Sequence, residues 1–127
     1  MYKYILGFLL IFIAGSCRKD HPLPDFELNI LSPAEGQIFL KNDTVRIRAE
    51  ILLRAGEMHG YELYAYDTLS LAVWVSKGVH THDSIINIDT FFINNVSVPT
   101  AGRLEIRTYM NHGETQNLST RNFNLSN

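Results

Sequence analysis

There is one cysteine in the 127 residues of this chain, Cys17. No internal disulfide can form, so the residues after it must hold their core without covalent bridges. Basic residues are sparse as well: Arg46, Arg48, Arg54, Arg103, Arg107 and Arg121 are dispersed, and the formal charge is -2. With no basic patch or stripe, a nucleic-acid surface is excluded. Long apolar runs are also missing. The opening run, Ile5 to Ile13, is nine residues, well short of the ~20 helical residues that cross a bilayer. There is no Gly-x-Ser-x-Gly elbow, no His-Glu-x-x-His helix and no glycine-rich phosphate loop. Without a converging nucleophile and base, the sequence reads as a non-enzyme.

What the opening does contain is an address. Lys3 gives a charged start, Ile5 to Ile13 an apolar core, and Ala14-Gly15-Ser16 a run of small residues before Cys17. This is the layout of a secretory signal rather than a buried helix, and Arg18-Lys19-Asp20 follow at once. Ala14-Gly15-Ser16-Cys17 resembles the lipobox of bacterial lipoproteins. The resemblance implies a signal peptide over 1–16, cleavage before Cys17, and a membrane anchor of acyl chains on that residue. Each buried methylene contributes ~0.8 kcal/mol, so several chains hold far more firmly than one. It also implies the bacterial cell envelope, and Arg18 after the cysteine favours the outer membrane.

Residues 17–25 read as a lipidated tether, kept extended by Pro22 and Pro24. From residue 26 to 127 the chain is long enough for one domain with its own core. Val45-Arg46-Ile47-Arg48-Ala49-Glu50-Ile51 alternates strictly, predicting a strand with Val45, Ile47, Ala49 and Ile51 inward. Further strands are predicted over Phe26 to Ile30, Tyr61 to Tyr66, Leu71 to Val75, Ser84 to Ile93, Leu104 to Tyr109 and within Leu118 to Leu125. Ile38 to Leu40 reads as a short continuation, and Leu52 to Gly60 as a connection. Trp74 is expected in or beside the core. No helix is predicted after the leader.

About seven short strands in roughly 100 residues predict an all-β, immunoglobulin-like antiparallel β-sandwich. The opening strand, the Ser32-Pro33-Ala34-Glu35-Gly36 turn and the alternating strand after Asp43-Thr44 also resemble bacterial Ig-like modules. That likeness speaks to fold; function must be argued from a site.

The site candidates are histidines. Consecutive antiparallel strands reverse direction, so alternate connections emerge at one end of a sandwich. By this count the connections bearing His59, His80 with His82, and His112 share one end. His80 and His82 are two apart and project to the same side of an extended segment. Imidazoles in this pattern suit a transition metal. Met58 adds a thioether that would favour copper, whereas zinc needs only histidines and a carboxylate. Glu57, Asp83 and Glu114 are available carboxylates that could ligate or orient the imidazoles. His21, on the tether, starts near the same end. Met-His, His-x-His and Asn-His-Gly together are similar to a group of small histidine-marked Ig-like envelope lipoproteins.

Two functional readings stand. One is a lipid-anchored binding domain that takes copper or zinc through His59, His80, His82, His112 and Met58. The other is an envelope interaction module that contacts a protein or glycan without metal. Exposed aromatics would be its mark, and Tyr61, Tyr64, Tyr66 and Tyr109 are the candidates.

Overall fold

The computed structural model describes residues 23–113 and 115–127. The leader, Cys17, His21 and Glu114 lie outside the described residues. Nine strands follow one another: β1 (Asp25–Ser32), β2 (Ile38–Phe39), β3 (Thr44–Ala55), β4 (Met58–Tyr66), β5 (Ala72–Val75), β6 (Val79–His80), β7 (Ile85–Ile93), β8 (Thr100–Met110) and β9 (Thr115–Leu125). Among the described residues there is no α-helix, and none long and apolar enough to cross a membrane.

One sheet runs β1-β3-β7 and the other β2-β9-β8-β4-β5, with β6 also paired to β4. The chain crosses between sheets from β3 to β4 and from β7 to β8, the connectivity of an immunoglobulin-type sandwich. Across the gap, Trp74 on β5 stacks on Phe92 of β7 at 5.5 Å. Phe123 on β9 meets Phe92 at 6.4 Å and Phe39 at 6.1 Å. The alternating face of β3 is the centre of the core: Val45, Ile47, Ala49 and Ile51 are all buried, with Leu63, Ala65, Leu104 and Ile106 opposite them. Burying one such aliphatic side chain is worth about 1.5–3 kcal/mol, so this layer supplies much of what a chain without disulfides needs.

Two departures from the expected strands matter for function. First, β3 continues to Ala55 and β4 begins at Met58, so the expected Leu52 to Gly60 connection shrinks to Gly56 and Glu57. Alternation fails at Leu52-Leu53, but pairing with β1 carries β3 onward through a register shift to Asp25↔Ala55. Second, Val79-His80 is a two-residue strand on β4, too short to leave a pattern in sequence. The sheet is not wholly antiparallel either, since β2 pairs β9 in parallel.

At the end away from the histidines, Asn94 ties these pieces together. Its buried amide donates to the carbonyls of Phe39, Leu40 and Ser126 at 2.8–3.1 Å, and its Oδ1 accepts from the Val96 amide at 3.2 Å. One side chain thus ties four backbone groups together, and the Phe39 and Leu40 carbonyls accept from the Ser126 and Asp43 amides as well.

Candidate metal centre at one pole of the sandwich

The β3–β4 turn, the segment from β6 to His82 and the β8–β9 turn meet at one pole. His59 sits in the middle: its ring centroid lies 4.6 Å from His80, 5.7 Å from His82 and 5.5 Å from His112. His80 and His82 are 4.7 Å apart, edge to face. His59, His80 and His82 each offer one ligand atom, and these atoms all lie within 4.8 Å of one another. Two nitrogens that each bind zinc at about 2.0–2.1 Å are separated by up to about 4 Å, so a small closure of the three rings would let them hold one metal ion.

A β-bulge aims His59. Met58 pairs with Met110 and Gly60 with Tyr109, so β4 carries one extra residue at this point, and it is His59. Bulges re-aim a side chain and commonly do so beside functional sites. The next residue must be glycine for a separate reason. Gly60 pairs with His80 across β4 and β6, and a Cβ on Gly60 would collide with the Val79 carbonyl oxygen. Only a bare backbone lets β6 come close enough to bring His80 to His59. The Thr81 amide extends this pairing to the His59 carbonyl at 3.4 Å. Thr81 and Asp83 then brace the segment, the Thr81 hydroxyl donating to Asp83 at 2.9 Å. Asp83 is thus engaged by Thr81, in a turn that shapes the His80–His82 segment.

The β3–β4 and β8–β9 turns are joined directly. The Asn111 amide donates to the Glu57 carbonyl at 2.7 Å, and the Glu57 amide donates to Asn111 Oδ1 at 3.1 Å. Asn111 and His112 both adopt the left-handed conformation, at φ 49° and 57°, a region that asparagine and histidine enter more readily than most side chains. The clamp leaves the Glu57 carboxylate between two rings: Oε1 is 3.4 Å from His82 Nδ1 and Oε2 is 3.3 Å from His112 Nε2. Pro24, where the chain enters β1, packs against Gly56 in the same turn. The segment that follows the tether therefore enters the domain at the histidine pole.

Electrostatics favour neutral, ligand-ready imidazole at the centre. Burial of the ring, then the neighbouring His80, His112 and His82, hold His59 below the ordinary imidazole range, with Glu57 pulling weakly the other way. Its Nδ1 is buried and has no hydrogen-bond partner. A buried polar atom left unpaired costs about 1–3 kcal/mol, and a bound cation is one way to satisfy an imidazole lone pair. His80 and His82 are exposed, so an ion can reach the cluster from solvent.

Met58 does not join this group. It was expected beside His59 as a soft ligand, but its side chain is fully buried in the hydrophobic core, cross-strand from Met110. Neighbours on a strand point to opposite faces, so the residue beside an outward histidine faces inward. The candidate donors are thus nitrogen and oxygen only.

The tyrosines are spoken for. Tyr64 and Tyr66 stack on each other at 5.7 Å, and the Arg107 guanidinium covers Tyr64 at 4.2 Å. Tyr109 donates to Glu62 at 2.6 Å and Tyr64 to the same oxygen at 2.9 Å. That pairing pushes the Tyr109 hydroxyl up to about 12. Tyr61 packs against the core. Tyr64, Tyr66 and Tyr109 brace the outer face of β4 and β8, and the rings of Tyr64 and Tyr66 are used by each other and by Arg103 and Arg107.

Asn111 was named only within the Asn-His-Gly pattern, and neither Gly60 nor the bulge at His59 was read as part of the site. An asparagine before His-Gly in a turn was the available signal for the first; the other two depend on cross-strand approach and leave none. No protein-family model matches this chain, and comparison with curated proteins finds no matching relative.

Proposed function

We propose that this protein is a lipid-anchored metal-binding domain of the bacterial envelope, taking a divalent transition ion through His59, His80 and His82. The observation that supports it is the convergence of three imidazole donors within 4.8 Å from separate parts of the chain, around a His59 whose Nδ1 is otherwise unpaired. With Met58 in the core, the donor set suits zinc(II) or copper(II) rather than a thioether-bound copper(I) ion, and copper(II) should bind more tightly. His112 stands next to the triad as a further donor, with Glu57 behind both it and His82.

The role is binding, with Cys17 acylated and anchored in the outer membrane. The tether from Arg18 to Asp25 spans eight residues, at most about 25–30 Å when fully extended. Since Pro24 packs beside the Glu57 turn, such an anchor would keep the histidine pole near the membrane surface. The alternative, an envelope module that contacts a protein or glycan without metal, draws less support once Tyr64 and Tyr66 stack on each other, Arg107 covers Tyr64 and Tyr61 packs against the core.

The test is titration of the purified protein with zinc and with copper(II). The metal reading expects one ion per chain, bound tighter than about 10 µM, and loss of that binding in His80→Ala/His82→Ala. Unchanged binding in the double variant would reject it. For the anchor, palmitate labelling should mark the wild type and not Cys17→Ser.

A further inference from the structure

Glu57 occupies an unusual place in this pole. Its two carboxylate oxygens face different nitrogens on different histidines, Nδ1 of His82 and Nε2 of His112. A carboxylate accepts hydrogen bonds and donates none. A neutral imidazole beside it is therefore favoured in the tautomer whose proton faces the carboxylate, and the other nitrogen keeps its lone pair. We infer that Glu57 is a positioning residue that sets the ligating atom of two histidines: it directs His82 to offer Nε2 and His112 to offer Nδ1 to a metal ion. This rests on the metal-centre reading above, and it deepens it by naming which face of each ring is used.

The fold spends specific contacts on holding Glu57 there. Its backbone is fixed on both sides, its amide by Asn111 Oδ1 and its carbonyl by the Asn111 amide. The two-residue turn that carries it, Gly56-Glu57, is backed by Pro24 and Asn111, which leave little room for a side chain at residue 56. Gly56 has φ +91°, a conformation that side-chain-bearing residues rarely adopt. Thus one turn places one carboxylate, and that carboxylate links the β6 segment to the β8–β9 turn. Carboxylates behind metal-bound histidines fix ring orientation and raise ligand basicity, and losing one typically lowers affinity 10–100-fold.

Two measurements on the full chain in detergent test this, and they fail separately. The first needs no metal and no variant: nitrogen NMR of the histidine rings at a pH where they are neutral. His82 should carry its proton on Nδ1, the less common tautomer of free histidine, and His112 on Nε2. A His82 ring protonated on Nε2 overturns the inference, whatever the protein binds. The second uses zinc alone as the probe. Glu57→Gln, which offers one acceptor oxygen in place of two, should weaken zinc binding about 10–100-fold and return His82 toward the free-histidine tautomer. Equal zinc affinity in wild type and Glu57→Gln overturns the positioning role while leaving the metal centre standing. No zinc binding by the wild type rejects the metal centre, and the ring tautomers then still decide what Glu57 does.

Discussion

Glu57 and Asn111 hold each other across the pole through two hydrogen bonds of opposite sense: amide to carbonyl at 2.7 Å, and amide to side-chain oxygen at 3.1 Å. They join turns that are 54 residues apart in sequence. Asn111 is also nearly buried and left-handed. Replacing it tests conformation and hydrogen bonding separately. Asn111→Gly keeps access to positive φ but orphans the Glu57 amide, and should cost about 1–3 kcal/mol in denaturant unfolding. Asn111→Val adds backbone strain and should cost more. Equal stability of all three proteins would show that the clamp carries no weight.

Met58 and His59 are adjacent in sequence and face opposite ways. Met58→Leu should leave metal affinity unchanged and cost less than about 1.5 kcal/mol, because the two side chains fill similar volumes in a core. His59→Gln should abolish tight binding while the domain stays folded. If Met58→Leu weakened metal binding as much as His59→Gln, the assignment of the two residues would be reversed.

His59 makes stability depend on pH with a definite sign. Its folded value lies below that of the unfolded chain, chiefly because the ring is desolvated. As pH falls through about 6.5, the unfolded chain takes up a proton before the folded one does, so stability declines toward the lowered folded value. Above that window the term is absent. Urea unfolding of the metal-free protein between about pH 7.5 and pH 5 should show this fall, and His59→Gln should reduce its slope. A metal ion should shift the whole curve upward at neutral pH, because ligation requires neutral imidazole.

Tyr109 reports on the adjoining face of the same strand pair. Held by Glu62, its hydroxyl ionises near 12, against about 10 for free tyrosine. The folded state therefore keeps a proton that the unfolded chain loses, and stability falls as pH rises above about 10. Tyr61 and Tyr64 are raised too, by burial and by Glu62, so ultraviolet titration should show Tyr109 ionising last and moving earlier in Glu62→Gln. A Tyr109 that ionises no later than the other tyrosines would contradict the contact.

Asn94 should matter for stability and nothing else. Asn94→Ala takes the side-chain partner from the Ser126 carbonyl and the Val96 amide, at a cost of about 1–3 kcal/mol, while the Phe39 and Leu40 carbonyls keep the Ser126 and Asp43 amides. Metal affinity should not change, since the residue lies in the opposite half of the sandwich.

Much of this could be read from the chain, and the exceptions have physical reasons. Val45 to Ile51 announced its buried face because one side of β3 meets the core and the other meets water. Strand direction then placed His59, His80, His82 and His112 at one end without any knowledge of their contacts. Side-chain direction near turns was less legible. Treating Met58-His59 as loop left Met58 free to face the histidines; as part of a strand it cannot. The value of Gly60 lies in what approaches it, the Val79 carbonyl from β6, and a two-residue strand has no periodicity to reveal that approach. The role of Asn94 leaves no local pattern, because its three carbonyl partners come from distant parts of the sequence.

X-ray absorption on the zinc-loaded Cys17→Ser protein measures the atoms around a bound ion directly. The expected first shell holds at least three nitrogens at about 2.0–2.1 Å, with the outer-ring scattering of histidine and no sulfur near 2.3 Å. A shell of oxygens without imidazole scattering, or one containing the Met58 sulfur, would contradict the histidine centre.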